Sequence, residues 1–406
     1  MKISMTDLLY ALSFALDSVE HDLLGVTTYH AGRVAFLCAQ TGRAFDLSDQ
    51  QRLDLACAAL LHDNALTEYA KSEYSQGVDL LGLHEAGQSF PDLGTHCTLG
   101  ERNIEHMPFF PRVRGAVLYH HENADGSGPF GLSAAETPLY AQIVHLCGVL
   151  DLRFSYGTSE VGKFDRTHAF LEGGRGRLFS DEVVDAFEER VTPGMLEGLD
   201  TTHPDDLLHY QLPYVEREYG NDDLTHIADF FARITDYKSR FTHDHSQGVA
   251  DKSRAMAQFY GLGDDLAAKI YLAGALHDIG KLIISEDVLE KPAALTHDEY
   301  TYIQTHAWYT FEILRKVAGL EDVTRWASLH HEKLDGSGYP FGKHAIELSG
   351  IDRLMGCVDI YQALTEERPY RGGMLHRQAI EIMRDMAANG KIDGAIVDDI
   401  DACFAS

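Results

Sequence analysis

The chain carries the same unusual segment twice, and this repeat limits the folds that it can adopt. Residues 330–340 read HHEKLDGSGYP and residues 120–130 read HHENADGSGPF. Around these segments, ALHDIG at His277 matches LLHDNA at His62, and DHSQGVA at His245 matches YHAGRVA at His30. In each half the two histidines are 32 positions apart. The sequence therefore predicts a tandem duplication of a unit of roughly 180 residues.

Apolar periodicity predicts that each unit is helical. Leu266, Ile270, Ala273 and His277 recur at the spacing of one helical face, so His277 ends an apolar stripe. We predict an all-α fold of two tandem helical bundles, with the histidines pointing inward. The predicted domains cover residues 1–200 and 226–406, with a linker over residues 201–225, where periodicity is weak and helix breakers occur.

Charge and composition exclude several classes of function. The chain has 63 acidic and 34 basic residues, a formal charge of −29, which disfavours binding to a DNA or RNA polymer or to an anionic membrane. Asp7 and Asp17 interrupt the apolar opening segment, so we expect an amphipathic helix there and no membrane span. The six cysteines show no CxxC spacing, which favours a reducing, cytoplasmic location.

The recurring histidines and aspartates predict metal binding. A single buried histidine is more often an ordinary core residue, but a whole set at matched spacing on apolar faces needs partners. Divalent ions would satisfy this set, because imidazole suits iron, manganese, nickel or zinc and a carboxylate bridges two cations. We therefore expect a metal centre in the second unit.

The second unit resembles the HD-GYP family of metal-dependent phosphohydrolases, a branch of the HD superfamily. HDIGK at residues 277–281 matches the first signature of that family, HHEKLDGSGYP matches the second, and DIYQALTEERPYR at residues 359–371 resembles the segment after the last aspartate ligand. The resemblance implies two tandem HD-domain bundles and two divalent ions, with iron, manganese or nickel favoured over zinc or magnesium. Phe241 replaces the glutamate of members that hold a third ion, so two ions are expected.

The resemblance also implies the site residues. One ion would be bound by His245, His277, Asp278 and Asp359, and the other by Asp278, His306, His330 and His331. Such a pair activates water and orients a phosphodiester for in-line attack. The implied catalytic residues are Asp278 and Lys281, and the implied substrate-binding residues are Lys281, Arg368, Arg371, Asp335, Gly338 and Tyr339. Outside such a motif, a lysine or arginine of this kind is usually a solvated surface charge.

The first unit keeps every ligand type but differs around them. Its candidate metal ligands are His30, His62, Asp63, His96, His120, His121 and Asp151. Leu66 replaces Lys281, Glu160 replaces Arg368, and the loop lacks the tyrosine. Three interpretations stay open: a catalytically weak copy that regulates or stabilises the second unit, a second active site of different specificity, and a metal-bearing ligand sensor.

The leading hypothesis is a phosphodiesterase that opens a cyclic dinucleotide to the linear form. The resemblance favours cyclic di-GMP, with 3′,3′-cyclic GMP-AMP as a competitor that the spacing does not exclude. The alternatives are a metal-stabilised, nucleotide-binding signalling adaptor without hydrolysis and a nucleotidase that acts on phosphomonoesters. A protein partner at the GYP loop and a homodimer also stay open.

Overall fold

The computed structural model describes residues 1–5, 7–11, 13, 17, 29–76, 78, 92–158, 162–199, 212, 216–238, 245–289, 291, 293–367 and 372–405. The chain divides into two compact units. Met5–Glu216 form the N-terminal unit, and Arg217–Ser406 form the C-terminal unit together with Met1–Ser4. The linker predicted over residues 201–225 stays a prediction, because most of residues 201–215 lie outside the described part of the chain.

The N-terminal unit is built from helices and tight turns. Its helices are α1 (His30–Thr41), α2 (Asp49–Leu60), α3 (Leu66–Ser75), α4 (Leu93–Asn103), α5 (Phe110–Val113), α6 (Leu139–Phe154), α7 (Lys163–Gly174), α8 (Asp181–Arg190) and α9 (Pro193–Gly198). A 3₁₀ turn covers Gly42–Phe45. Helix α1 packs against α2, α6 and α8 and is buried along its whole length, which places its first residue, His30, inside the unit.

The C-terminal unit repeats this plan. Its helices are α10 (Asn221–Lys238), α11 (His245–Phe259), α12 (Asp264–Leu276), α13 (Glu286–Leu289), α14 (His297–Leu314), α15 (Glu321–Ser328), α16 (Gly350–Thr365), α17 (His376–Ala388) and α18 (Gly394–Phe404). Two 3₁₀ turns cover Ile279–Ile283 and Ala345–Glu347. Side-chain caps begin α14 at Thr296 and α16 at Ser349, each forming a capping box with the third helical residue.

The helix expected at the start of the chain is present in the described residues from Met5 onward, but the prediction is wrong for residues 2–4, which form a strand. Strand β1 (Lys2–Ser4) pairs with strand β2 (Glu216–Glu218). The Met1 amino group donates to Tyr219 O at 2.7 Å, and Tyr219 N donates to Met1 O at 2.8 Å. These backbone bonds satisfy groups that a helix would leave unpaired in its first turn.

Two glycines allow the elements that carry the candidate ligands to approach closely. A Cβ at Gly274 in α12 would lie 2.7 Å from Ala250 Cα in α11. A Cβ at Gly280 would lie 2.0 Å from His306 O in α14. The turn after His277 therefore sits directly on α14, and only glycine fits at that contact.

The predicted all-α fold is confirmed. Helix accounts for 66% of the structure, and the described residues hold one two-stranded sheet. None of the helices in the described ranges is both long and apolar enough to cross a membrane.

Candidate metal centre

The candidate ligands of the C-terminal unit come from five separate elements and converge in its core. His245 begins α11, His277 and Asp278 follow α12, His306 lies in α14, His330 and His331 follow α15, and Asp359 lies in α16. All of these side chains are buried except that of His331, which is 24% exposed. The structure thus brings together the seven residues that the sequence nominated as ligands.

Asp278 lies between two groups of histidines. Its Oδ2 atom is 3.2 Å from His277 Nε2 and 3.7 Å from His245 Nε2. Its Oδ1 atom is 3.4 Å from His306 Nε2 and 3.9 Å from His330 Nε2. Each carboxylate oxygen therefore faces a different pair of imidazoles, which is the arrangement of a carboxylate that bridges two cations.

Three of the histidines are held in one orientation by the backbone. The Nδ1 atom bonds to the carbonyl oxygen three residues earlier at 2.7 Å in His277, 2.6 Å in His306 and 2.6 Å in His330. Because a carbonyl only accepts, Nδ1 carries the proton and the Nε2 lone pair faces the centre.

His245 is oriented by carboxylates instead. Its Nδ1 donates to Glu366 Oε2 at 2.8 Å, and its Nε2 lies 3.3 Å from Asp359 Oδ1. Burial lowers the pKa of His245, but hydrogen bonds to Asp359 and Glu366 outweigh it and raise the pKa to about 9. A cation at this position would compete with that proton, so metal binding here becomes weaker as the pH falls.

Unsatisfied buried atoms show that the residues fit a metal ion. Within the described chain, His277 Nε2 and Asp278 Oδ1 are buried and have no hydrogen-bond partner. Burial lowers the pKa of His306 to about 4 and that of His330 to about 3, so both imidazoles are neutral. Neutral imidazoles and a carboxylate are the donors that iron, manganese, nickel and zinc accept.

Two of the implied substrate residues border the cluster. Lys281 Nζ donates to Asp278 Oδ2 at 2.5 Å, and its side chain is 18% exposed. The ring of Tyr339 lies 4.7 Å from that of His331 and 6.3 Å from that of His306, measured between centroids. An ammonium group and an aromatic ring thus lie beside the candidate ligands.

The GYP loop is closed by a glutamate that directly follows the paired histidines. Glu332 is buried, and its two carboxylate oxygens accept from Phe341 N at 2.7 Å and Lys343 N at 2.8 Å. Gly338 packs over the start of the loop, where a Cβ would lie 2.4 Å from Lys333 N. Glu332 therefore fixes both ends of the loop, and Gly338 allows it to close.

The remaining implied substrate residues are placed differently. Asp335 is exposed and contacts Ser337 and Lys391, whose Nζ donates to Asp335 Oδ2 at 2.7 Å. Its substrate role stays a prediction. Arg368 and Arg371 lie outside the described residues, as do the Phe241 and Glu160 replacements.

The N-terminal unit contains a similar bridging carboxylate. Asp63 Oδ2 lies 3.1 Å from His62 Nε2, and Asp63 Oδ1 lies 3.4 Å from His96 Nε2 and 3.3 Å from His120 Nε2. The ring of His121 lies beside that of His120, tilted by 42°, with 4.1 Å between ring centroids. Five of the seven ligands nominated here therefore lie around the Asp63 carboxylate, and the donor atoms of His30, His62 and Asp63 also lie within 4.8 Å of one another.

The last two ligands nominated in this unit are arranged differently. Arg33 is 2% exposed, and its Nε and Nη2 atoms donate to the two oxygens of Asp151 at 2.7 and 2.8 Å. His30 Nδ1 bonds to Asp151 Oδ2 at 2.7 Å, while His30 Nε2 has no partner among the described residues. The guanidinium outweighs burial and lowers the pKa of Asp151 to about 2.

Sequence reasoning missed three residues that shape these clusters: Arg33, Glu366 and Cys97. Arg33 aligns with Gly248 in the repeat, and Cys97 aligns with Ala307, so both differences were visible. Glu366 gave no such signal, because its link to His245 spans 121 residues.

Comparison with known proteins identifies the family. The profile of the HD domain matches residues 20–152 and 230–396, one match in each half. The chain belongs to the HD domain family. The family predicted from the two motifs and their repetition is thus confirmed, and both HD domains contain clusters of histidine and aspartate that could hold metal ions.

Two curated relatives are named as phosphodiesterases of cyclic dinucleotides. A 3′3′-cGAMP-specific phosphodiesterase from Vibrio cholerae is 30% identical over 406 residues, covering 98% of this chain and 91% of the relative. A cyclic di-GMP phosphodiesterase from Pseudomonas aeruginosa is 32% identical over 203 residues, covering 49% of this chain and 46% of the relative.

A solved structure shares the HD-domain fold along the whole chain. The crystal structure of a cyclic GMP-AMP phosphodiesterase of V. cholerae superposes with a TM-score of 0.66 and 24% identity, covering 100% of this chain and 98% of that one. The likeness supports the all-α, two-unit architecture.

Proposed function

We propose that this protein is a metal-dependent phosphodiesterase that hydrolyses a cyclic dinucleotide to the linear dinucleotide, with the C-terminal unit as the active one. The observation that carries the proposal is Asp278, whose two oxygens face separate histidine pairs at 3.2–3.9 Å. This arrangement supports a centre of two divalent ions. Iron, manganese or nickel is proposed in preference to zinc or magnesium.

The residues of the chain prepare this centre in two ways. The backbone carbonyls keep a proton on Nδ1 of His277, His306 and His330, which leaves Nε2 free to bind an ion. When bound, divalent ions would lower the pKa of water and offset the charge of a phosphodiester. The ammonium group of Lys281 donates to the Asp278 carboxylate and would pair with an anionic phosphate oxygen of the substrate.

The substrate is proposed from the relatives and from the rim of the site. The relative that covers 98% of this chain acts on 3′3′-cGAMP, which makes that compound the first candidate. Cyclic di-GMP is the second, because the Pseudomonas relative matches about half of the chain. The ring of Tyr339, packed against His331, offers an aromatic face for a base.

We propose that the N-terminal unit does not hydrolyse the substrate. Arg33 occupies both oxygens of Asp151, so this carboxylate is not available to an ion in the way that Asp359 is. Leu66 stands where the active unit has Lys281 and brings no charge to a phosphate. These differences favour a regulatory or stabilising copy over a second active site.

Chromatographic product analysis tests the proposed function. Full-length protein loaded anaerobically with Mn²⁺ or Fe²⁺ is incubated with 3′,3′-cyclic GMP-AMP, cyclic di-GMP, cyclic di-AMP and a nucleoside monophosphate. We expect a linear dinucleotide, formed fastest from the first substrate. Binding of a cyclic dinucleotide without any product would favour the signalling adaptor, and release of phosphate from the monoester alone would favour a nucleotidase.

A further inference from the structure

The N-terminal unit contains a buried thiol at its histidine cluster that the C-terminal unit lacks. Cys97 follows His96 in α4, is fully buried, and has its Sγ atom 3.7 Å from His96 Nε2. The donor atoms of His96, Cys97, His120 and His121 all lie within 4.8 Å of one another. Ala307 occupies the matching position of the C-terminal unit. One cluster therefore includes a soft sulfur donor and the other does not.

The spacing of these donors suits a tetrahedral ion. His96 Nε2 lies 3.4 Å from both His120 Nε2 and Asp63 Oδ1, and the latter two atoms are 3.3 Å apart. Bond lengths of about 2.0–2.3 Å in a tetrahedral zinc site place neighbouring donors about 3.3–3.6 Å apart. The three atoms thus form one face of such a tetrahedron, and Cys97 Sγ lies within 4.8 Å of the donor atoms of both His96 and His120.

The hydrogen bonds of α4 give an independent reason. Cys97 Sγ donates to Leu93 O at 3.3 Å, and the buried Nδ1 of His96 has no hydrogen-bond partner within the described residues. In the C-terminal unit the equivalent His306 Nδ1 donates to Ile303 O at 2.6 Å. Leu93 O is the matching carbonyl. An ion bound to the Cys97 sulfur would replace its hydrogen bond to Leu93 O and leave this carbonyl to accept from His96 Nδ1.

We propose that the N-terminal unit binds one divalent ion through Cys97, Asp63, His96 and His120, and that this site prefers zinc. On binding, the thiol proton passes to solvent and a bond forms between sulfur and the ion, so one proton is released per ion. Thiolate favours zinc over manganese or magnesium. Four protein donors leave no open position for a substrate, so the ion is structural.

Cobalt(II) spectroscopy on the full-length protein tests this site without using enzyme activity. We expect the cobalt-loaded wild type to show a sulfur-to-cobalt charge-transfer band in the near ultraviolet. Cys97→Ala and Cys97→Ser should both lose the band, and Cys57→Ala, at a second buried cysteine, should keep it. Competition with a chromophoric chelator should show zinc binding at this site at least about tenfold weaker in both Cys97 variants.

The serine variant separates loss of the ligand from loss of the fold, because its hydroxyl still donates to Leu93 O. A band of unchanged intensity in Cys97→Ala would overturn the proposal. Cobalt bound to the N-terminal unit of the wild type without the charge-transfer band would also overturn it. The amount bound there is measured as the cobalt that the wild type holds and Asp63→Ala does not. Failure of the N-terminal unit to bind any ion would also overturn it, whatever the phosphodiesterase activity of the chain.

Discussion

In the C-terminal unit, Asp359 Oδ1 lies 3.3 Å from His245 Nε2, whereas in the N-terminal unit the matching Asp151 is paired through both oxygens with the buried Arg33. The position of Arg33 corresponds to Gly248, where a Cβ would already lie 2.3 Å from the Gln362 side chain. One difference on the first turn of a helix thus gives Asp151 a cationic partner from the protein, and no such guanidinium stands at the matching position beside Asp359. Conservation of ligand types in a duplicated unit does not guarantee conservation of the site.

The sharpest test of the comparison is to remove the bridging carboxylate from each unit in turn. Asp278→Ala should reduce turnover of the cyclic dinucleotide by about 10³-fold or more, because it takes a ligand from both ions. Asp63→Ala should leave turnover within the same order of magnitude. Steady-state kinetics on metal-loaded protein measures both, and an equal loss in the two variants would indicate that both units catalyse hydrolysis.

Removal of the guanidinium should destabilise the N-terminal unit. Arg33→Met leaves Asp151 buried without its cation, so we expect a loss of about 3–5 kcal/mol in metal-free protein. Hydrogen exchange of the α1 and α6 amides measures the opening free energy. Arg102→Met, which removes a half-exposed arginine paired with Glu68, should cost less than about 1 kcal/mol. Equal losses of opening free energy in Arg33→Met and Arg102→Met would show that burial of Asp151 does not depend on its ion pair with Arg33.

Transfer of the guanidinium to the active unit should impair it. We expect Gly248→Arg to weaken metal binding by about a hundredfold, because a cation beside Asp359 competes with the ion. Gly248→Met introduces the Cβ that meets Gln362 and a long side chain without the charge, and is the matched control. Metal titration of both variants separates the two causes, and equal losses would assign the effect to crowding alone.

The smallest expected effect concerns the orientation of His245. Glu366→Gln weakens the acceptor for His245 Nδ1, and we expect about tenfold weaker metal binding. Glu367→Gln changes the adjacent exposed residue and should have no measurable effect. The pH dependence of metal binding gives a second readout: it should shift to lower pH in Glu366→Gln, because this carboxylate helps to raise the pKa of His245. An unchanged profile would contradict the positioning role.

The sequence alone predicted the duplicated helical fold because repeated motifs and apolar stripes are local patterns. The ligand set was predictable for the same reason, since His277 and Asp278 are adjacent and the other candidates recur at matched spacing in both halves. Strand β1 could not be predicted, because its partner strand lies more than 200 residues away and a segment of three residues carries little pattern. Long-range pairing has no signature in a short segment.

The charged residues that pair with the candidate ligands were harder to predict from the sequence than the ligands themselves. The sequence suggested that Glu160 and Leu66 weaken the first unit. The repeat also shows that Arg33 aligns with Gly248, but an arginine in a helix is usually a surface residue, so that difference alone indicates no role. Only the fold shows that its side chain is buried against Asp151. In the same way, Cys97 became informative once its distance to His96 was known.

The glutamate after each histidine pair anchors two loops that differ in length by one residue. In the N-terminal unit Glu122 accepts from Phe130 N and Leu132 N, eight and ten residues ahead, whereas Glu332 accepts from amides nine and eleven residues ahead. Tyr339 is the extra residue. A loop anchored in this way can gain or lose one residue at its tip without moving the histidines at its base. Evolution can therefore vary the aromatic ring of Tyr339 independently of the candidate ligands.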